Sequence, residues 1–108
     1  MAVQHAILMA DVMRGYLARR VPRIRASATT RQIAEVLRSA PAVPYDRTLR
    51  VLESVDLLKF ARQTMGREHA QAIGNESKAI VQAVETQMRQ AEATARAAAE
   101  SSTRARAA

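Results

Sequence analysis

The chain contains no cysteine and no tryptophan, and one phenylalanine and two tyrosines are its only aromatic residues. Without cysteine there is no disulfide and no thiolate metal site, which allows the reducing cytoplasm. With so few rings, stacking on the bases of single-stranded nucleic acid is not expected. The longest unbroken apolar run is Ala6 to Ala10. That is far below the ~18 residues a membrane span needs, and no cationic segment precedes it as in a secretory leader, so the chain is expected to be soluble. Glycine and proline number three each. They are scarce enough to punctuate, and Pro22, Pro41, Pro44, Gly66 and Gly74 mark the expected boundaries.

Catalytic patterns are also missing. There is no Gly-rich phosphate loop, no G-x-S-x-G elbow and no H-E-x-x-H, and His5 and His69 sit in separate segments without acidic partners at metal-ligand spacing. Neither an enzyme nor a cofactor or metal site is expected.

What is present is helical amphipathicity and arginine. Hydrophobic residues make up 48% and charged residues 25% of the 108, a globular composition and enough for one modest core. The net charge of +7 comes from fifteen arginines and two lysines against ten acids. Residues 1–25 alone hold five arginines and one aspartate. The focus is "RRVPRIR", whose Arg19, Arg20, Arg23 and Arg25 form a candidate contact for nucleic-acid phosphate or an anionic membrane surface. A generic arginine-rich surface is the plainer reading.

Four segments carry helical periodicity. Val3, Ile7, Ala10, Met13 and Leu17 step along a first helix that Pro22 stops near Arg20. Thr29 and Gln32 form a capping box that opens a second, with Ile33, Val36 and Leu37 inward, ended by Pro41 and Pro44. A third runs from about Asp46 to Arg62, with Leu49, Leu52 and Val55 inward. A fourth opens near Thr64 to Gly66 and steps through Ala70, Ile73, Ser77, Val81, Val84, Met88, Ala91 and Ala95 in a near-heptad. Its acid-first pairs Glu85/Arg89, Glu92/Arg96 and Glu100/Arg104 add ~0.2–0.5 kcal/mol each. Helix is therefore expected beyond the core stripe, fraying over "SSTRARAA", and Gly74-Asn75 is the expected weak point. The fold class is all-α: a small bundle of three short helices plus a long C-terminal helix, with 1–90 as the bundle and 91–108 as an Ala/Arg-rich extension or frayed tail. An exposed stripe of Val81, Val84 and Met88 would invite self-association through the long helix.

The stretch "DLLKFAR" closes the third helix. Asp56 lies four residues after Leu52 and four before Phe60, beside the buried stripe. A carboxylate raised in pKa could act as a general acid or base. The structural alternative is an acceptor for a neighbouring helix start such as Thr29/Thr30, or a partner for an arginine such as Arg14. No second carboxylate, histidine or nucleophile lies near it in sequence, and the structural alternative is preferred. Leu57 or Leu58 and Phe60 are expected to fill the core. Lys59 is expected to pair with Asp56 or lay its stem over Phe60, and Arg62 to solvate the rim.

The succession "MRGYLARR", "ATTRQIAEVLRSA", "LRVLESVDLLKFAR" and "ESKAIVQAVE" resembles the cytoplasmic C-terminal domain of a family of bacterial membrane proteins of unknown function. It is also similar to the tails of Bat-type aerotolerance proteins, which are associated with MoxR-class AAA+ ATPases and von Willebrand factor A domain proteins. The resemblance covers roughly residues 8 to 86. Its most specific piece is D-L-[LV]-K-F-A, matched by Asp56 to Ala61, followed by R-x-Y-L, matched by Arg14, Tyr16 and Leu17. The family has an acidic residue where Gln32 stands and a proline where Met65 stands, and its last helix lacks the Gly74-Asn75 interruption. The resemblance makes Asp56, Leu57, Lys59, Phe60, Arg14 and Tyr16 a structural keystone. It also implies a domain on the cytoplasmic side, tethered to the inner membrane by an upstream helix, with an ATPase or von Willebrand factor A partner. Near such a span, Arg19 to Arg25 would face anionic lipid. The competing expectation is a small basic DNA-binding protein, opposed by the acids Asp46, Glu53 and Asp56 along the third helix.

Overall fold

The computed structural model describes residues 2–60 and 64–107. Four helices follow one another: α1 (Ala2–Arg20), α2 (Thr30–Leu37), α3 (Tyr45–Phe60) and α4 (Arg67–Ala107). No strand occurs among the described residues, and the fold is all-α. Ala61 and Arg62, the end of "DLLKFAR", lie outside the described residues.

The cross-chain contacts fix the directions. Arg14 meets Asp56 and Asp11 meets Lys59, so α3 runs antiparallel to α1. His5 lies beside Gly74, Tyr16 bonds Glu85 and Arg20 reaches Glu92, so α4 runs parallel to α1. The chain climbs α1, crosses through α2, descends α3 and climbs again in α4. Most packing between elements lies along the α1–α4 seam.

Each helix turns one face inward. Ala6, Ala10, Met13 and Leu17 of α1 are buried without measurable exposure. The stripe enters at Ala6 rather than Ile7, which is only partly covered. Ile33 and Leu37 of α2 and Val51, Leu52 and Val55 of α3 complete the far wall. Leu49 is half-buried, and Thr48 takes its place inside. From α4 come Ala70, Ile73, Ser77, Ile80 and Val84. Ser77 keeps its hydroxyl satisfied by donating to the Ile73 carbonyl at 2.9 Å.

α4 passes Gly74-Asn75 without a break. Gly74 is buried against α1, and a Cβ there would stand 3.2 Å from His5 Nδ1 and 3.9 Å from Met9 Cγ. The missing side chain therefore permits close approach of two helices rather than a turn. Val84 is fully buried and Val81 and Met88 are partly buried against the core, so the stripe expected to be open for self-association is largely taken up inside the bundle. From 89 to 106 every residue is exposed, and helix persists to Ala107 through the stretch expected to fray. The radius of gyration is 17.4 Å and the extents are 65 × 25 × 19 Å. A compact chain of this length would have ~13 Å, and the excess is the projecting end of α4.

Replacing Gly74 by Leu forces its side chain into the seam and should cost ~1–3 kcal/mol. Gly74→Ala gains ~1 kcal/mol of helix propensity against a contact that a small turn of the exposed His5 ring relieves, and should stay within ~1 kcal/mol of wild type. Thermal melts of the two variants check both.

Candidate functional site

The residues singled out in the sequence fall into two groups on opposite flanks of α1. On the α3 side, Asp56 accepts from Thr30 Oγ1 at 2.5 Å and from Arg14 Nη2 at 3.4 Å. Arg14 also donates to the Ala28 carbonyl at 2.8 Å and to Thr30 Oγ1 at 3.0 Å. The acceptor role falls to the carboxylate, and the donor from α2 is the hydroxyl of its first residue. Thr29, one residue earlier, is occupied in the capping box, with Gln32 N to Thr29 Oγ1 at 3.2 Å and Thr29 N to Gln32 Oε1 at 2.9 Å. Three segments are thus tied at one point, where the Arg14 and Asp56 side chains keep 21% and 29% of their exposure. No histidine joins them among the described residues, and the polar groups satisfy one another.

The rest of "DLLKFAR" departs from expectation. Phe60 is 79% exposed and Leu57 46% exposed, so neither fills the core. The inward face of α3 ends at Val55. At 100° per residue, Leu57 is turned about 200° and Phe60 about 140° from Val55. Both side chains lie off the buried stripe, and Leu58 is only half-buried. Lys59 binds Asp11 of α1 at 3.1 Å, not Asp56. That pair and the triad beside it line a polar recess of about 380 Å³ with Phe60 at its edge.

On the α4 side, Tyr16 donates to Glu85, a carboxylate that also faces Arg20 Nε at 3.4 Å and Arg89 Nε at 3.2 Å. Arg20 Nη2 reaches Glu92 at 3.4 Å. Burial and the Glu85 bond raise the Tyr16 phenol above its ordinary pKa. The hydrogen bond from Tyr16, with Arg20 and Arg89 alongside, holds the Glu85 carboxyl below the usual glutamate range, while burial opposes the shift. Helical spacing made Glu85 the partner of Arg89, a pair that forms, but did not connect it to Tyr16. The signal available was its spacing: Glu85 and Glu92 lie one heptad apart, on one face of α4.

The basic cluster is therefore divided. Arg20 is engaged by α4, whereas Arg19, Arg23 and Arg25 are exposed, and no ion pair to them occurs among the described residues. Arg20 and Arg23 also line an apolar groove of about 390 Å³ with Val21, Pro22, Val36, Ala40 and Met88. No group of three or more metal-ligating side chains occurs among the described residues, and no described helix is long and apolar enough to cross a membrane.

Two predictions follow from the flanks of α1. Asp56→Ala leaves Thr30 and Arg14 without their acceptor and should destabilise the fold by ~1–3 kcal/mol; a melt matching wild type would remove the keystone role. For Glu85, the depressed pKa means its stabilisation is complete above the unfolded value of ~4.3 and is lost as pH falls through the lower folded value. The melting temperature of wild type should thus drop more steeply than that of Glu85→Gln between about pH 5 and pH 3.

In comparisons with known proteins, no family model, no curated protein and no solved structure matches this chain.

Proposed function

We propose that the chain is a non-enzymatic protein-interaction module. It acts on the cytoplasmic side of a bacterial membrane, tethered there by an upstream segment, together with a MoxR-class AAA+ ATPase or a von Willebrand factor A domain protein. The observation that carries the interaction reading is the outer half of α4. Residues 89–106 are helical yet every one of them is exposed, and Glu92, bonded to Arg20, is their ion pair to the bundle among the described residues. A helix gains most of its stability in proteins from packing one face, and this one holds that face in readiness for another molecule. The class of partner rests on the resemblance carried by Asp56 to Ala61 and by Arg14, Tyr16 and Leu17.

A second reading, a small basic DNA-binding protein, draws on the exposed Arg19, Arg23 and Arg25. Arg20, spent on Glu85 and Glu92, weakens it.

The test is titration of the full chain with a purified MoxR-class ATPase, a von Willebrand factor A domain protein and a short DNA duplex at physiological salt. Binding to one of the proteins that Ala95→Pro abolishes, with the bundle's melt unchanged, is the expected result. Proline inside a helix costs ~3 kcal/mol and here breaks only the projecting part. Salt-steep retention of duplex, lost when Arg19, Arg23 and Arg25 become alanine and unaffected by Ala95→Pro, would replace this reading by DNA binding.

A further inference from the structure

The groove beside the basic end of α1 has features that neither the helical arm nor the keystone uses. One wall is the turn leaving α1, fixed by Val21 N to Leu17 O at 2.8 Å and Ile24 N to Val21 O at 3.0 Å. The facing wall is the corner after α2, fixed by Ser39 N to Val36 O, Ala40 N to Leu37 O and Val43 N to Ala40 O, each at 3.1 Å. Met88 of α4 contributes from the side. Hydrogen-bonded turns form both walls, so the concavity is built into the bundle. Its lining is mainly Val21, Pro22, Val36, Pro41, Ala42 and Met88, and its volume is about 390 Å³. That is the small end of the ~300–1,000 Å³ seen for ligand sites, suited to a short apolar anchor.

The charge beside it that is left without a partner among the described residues is positive. Arg20 is held at the rim by Glu85 and Glu92, and those two carboxylates are thereby occupied. Arg23 lines the groove and is exposed, and Arg19 and Arg25 flank it in sequence and are exposed too. None of the three has an ion-pair partner among the described residues.

We infer that this groove docks a short acidic segment of a partner protein, with an aliphatic or aromatic side chain seated between Val21, Val36 and Met88 and a flanking carboxylate on Arg23. Complementary charge of this kind speeds encounter and fixes orientation, while the apolar anchor supplies affinity. A nucleic-acid backbone would match the arginines but leave the apolar concavity unfilled. A lipid surface is matched by protruding apolar side chains, whereas these line a recess. The groove takes no lining residue from 89–106, and Arg20 keeps Glu85 if Ala95→Pro loosens Glu92, so the two readings fail independently.

The experiment is selection of random peptides of about 12 residues displayed on phage against the full chain. The best binder is then measured by fluorescence anisotropy against wild type, Arg23→Glu and Ser39→Trp. Both substituted positions are exposed, and Ser39 borders the groove, so a tryptophan fills it without removing a core contact. The expected outcome is enrichment of peptides rich in Asp and Glu that carry one large apolar residue, with binding roughly tenfold weaker in each variant. Unchanged circular dichroism melts show that both variants fold. Four results would overturn the inference: no enrichment, enrichment of peptides without acids, affinity that survives Ser39→Trp, or Arg23-dependent capture of duplex DNA or phosphatidylglycerol vesicles without capture of acidic peptide.

Discussion

The Arg14 guanidinium is the contact on which the arrangement of the first three helices depends. α1 and α2 have no direct backbone packing among the described residues. Beyond the apolar core they share, what ties them is one planar cation, with one nitrogen on the Ala28 carbonyl and the other on the Thr30 hydroxyl and the Asp56 carboxylate. A planar fork spreads its donors over separate nitrogens and so reaches acceptors in different elements at once, whereas lysine gathers its three donors on one atom. The start of α2 is thereby set at a definite height on α1 and α3. The corner that follows α2 then stands opposite the turn that follows α1, and the groove between them is a consequence of that placement.

The opposite flank of α1 uses a different device. Here the seam to α4 is mostly apolar, and the polar contacts lie at its upper end, where Tyr16 and Arg20 converge on Glu85 and Glu92. These groups are partly exposed, and solvent screens such ion pairs so that each adds little to stability. Their effect is to set the register of two parallel helices whose buried faces carry small residues, Ala6 and Ala10 on one side and Gly74 and Ser77 on the other. Small residues permit close approach but leave sliding inexpensive. A network at one end removes that freedom and also withdraws Arg20 from the basic cluster.

The parts of this structure that were legible in the sequence are those set by local chemistry. The Thr29–Gln32 box opens α2, Pro22 follows the end of α1, and the three- and four-residue steps place Met13, Leu17, Ile33, Leu52, Val55 and Val84 inside. Asp56 stood out because a carboxylate beside a buried stripe needs donors. What the sequence did not show depends on where neighbouring helices end. Phe60 has the chemistry of a core anchor, but α3 outlasts its own buried face, which closes at Val55, and the ring is left 79% exposed. Lys59 chose Asp11 over Asp56 because α1 runs antiparallel alongside, a relation that spacing within one helix does not contain. The basic cluster read as one patch because all four arginines are near in sequence. A helix turn points Arg20 toward α4 and leaves Arg19 outside.

Gly74-Asn75 shows how far a tertiary contact can override a local rule. Glycine inside a helix costs ~1 kcal/mol relative to alanine, and asparagine is a common start for a new helix. Taken alone, the pair breaks α4 in two. In the fold, Gly74 faces α1 at the level of His5 and Met9, and the absent Cβ brings Ala70, Ile73 and Ser77 within reach of the α1 stripe. Continuity of that buried face, from Ala70 to Val84, holds the residues on both sides of the pair in one helix. Only an unbroken α4 carries the direction set by α1 past the end of α1 itself. The exposed segment from 89 to 106 thus owes its direction to a glycine about two turns into α4, at the position where local propensity argued for a break.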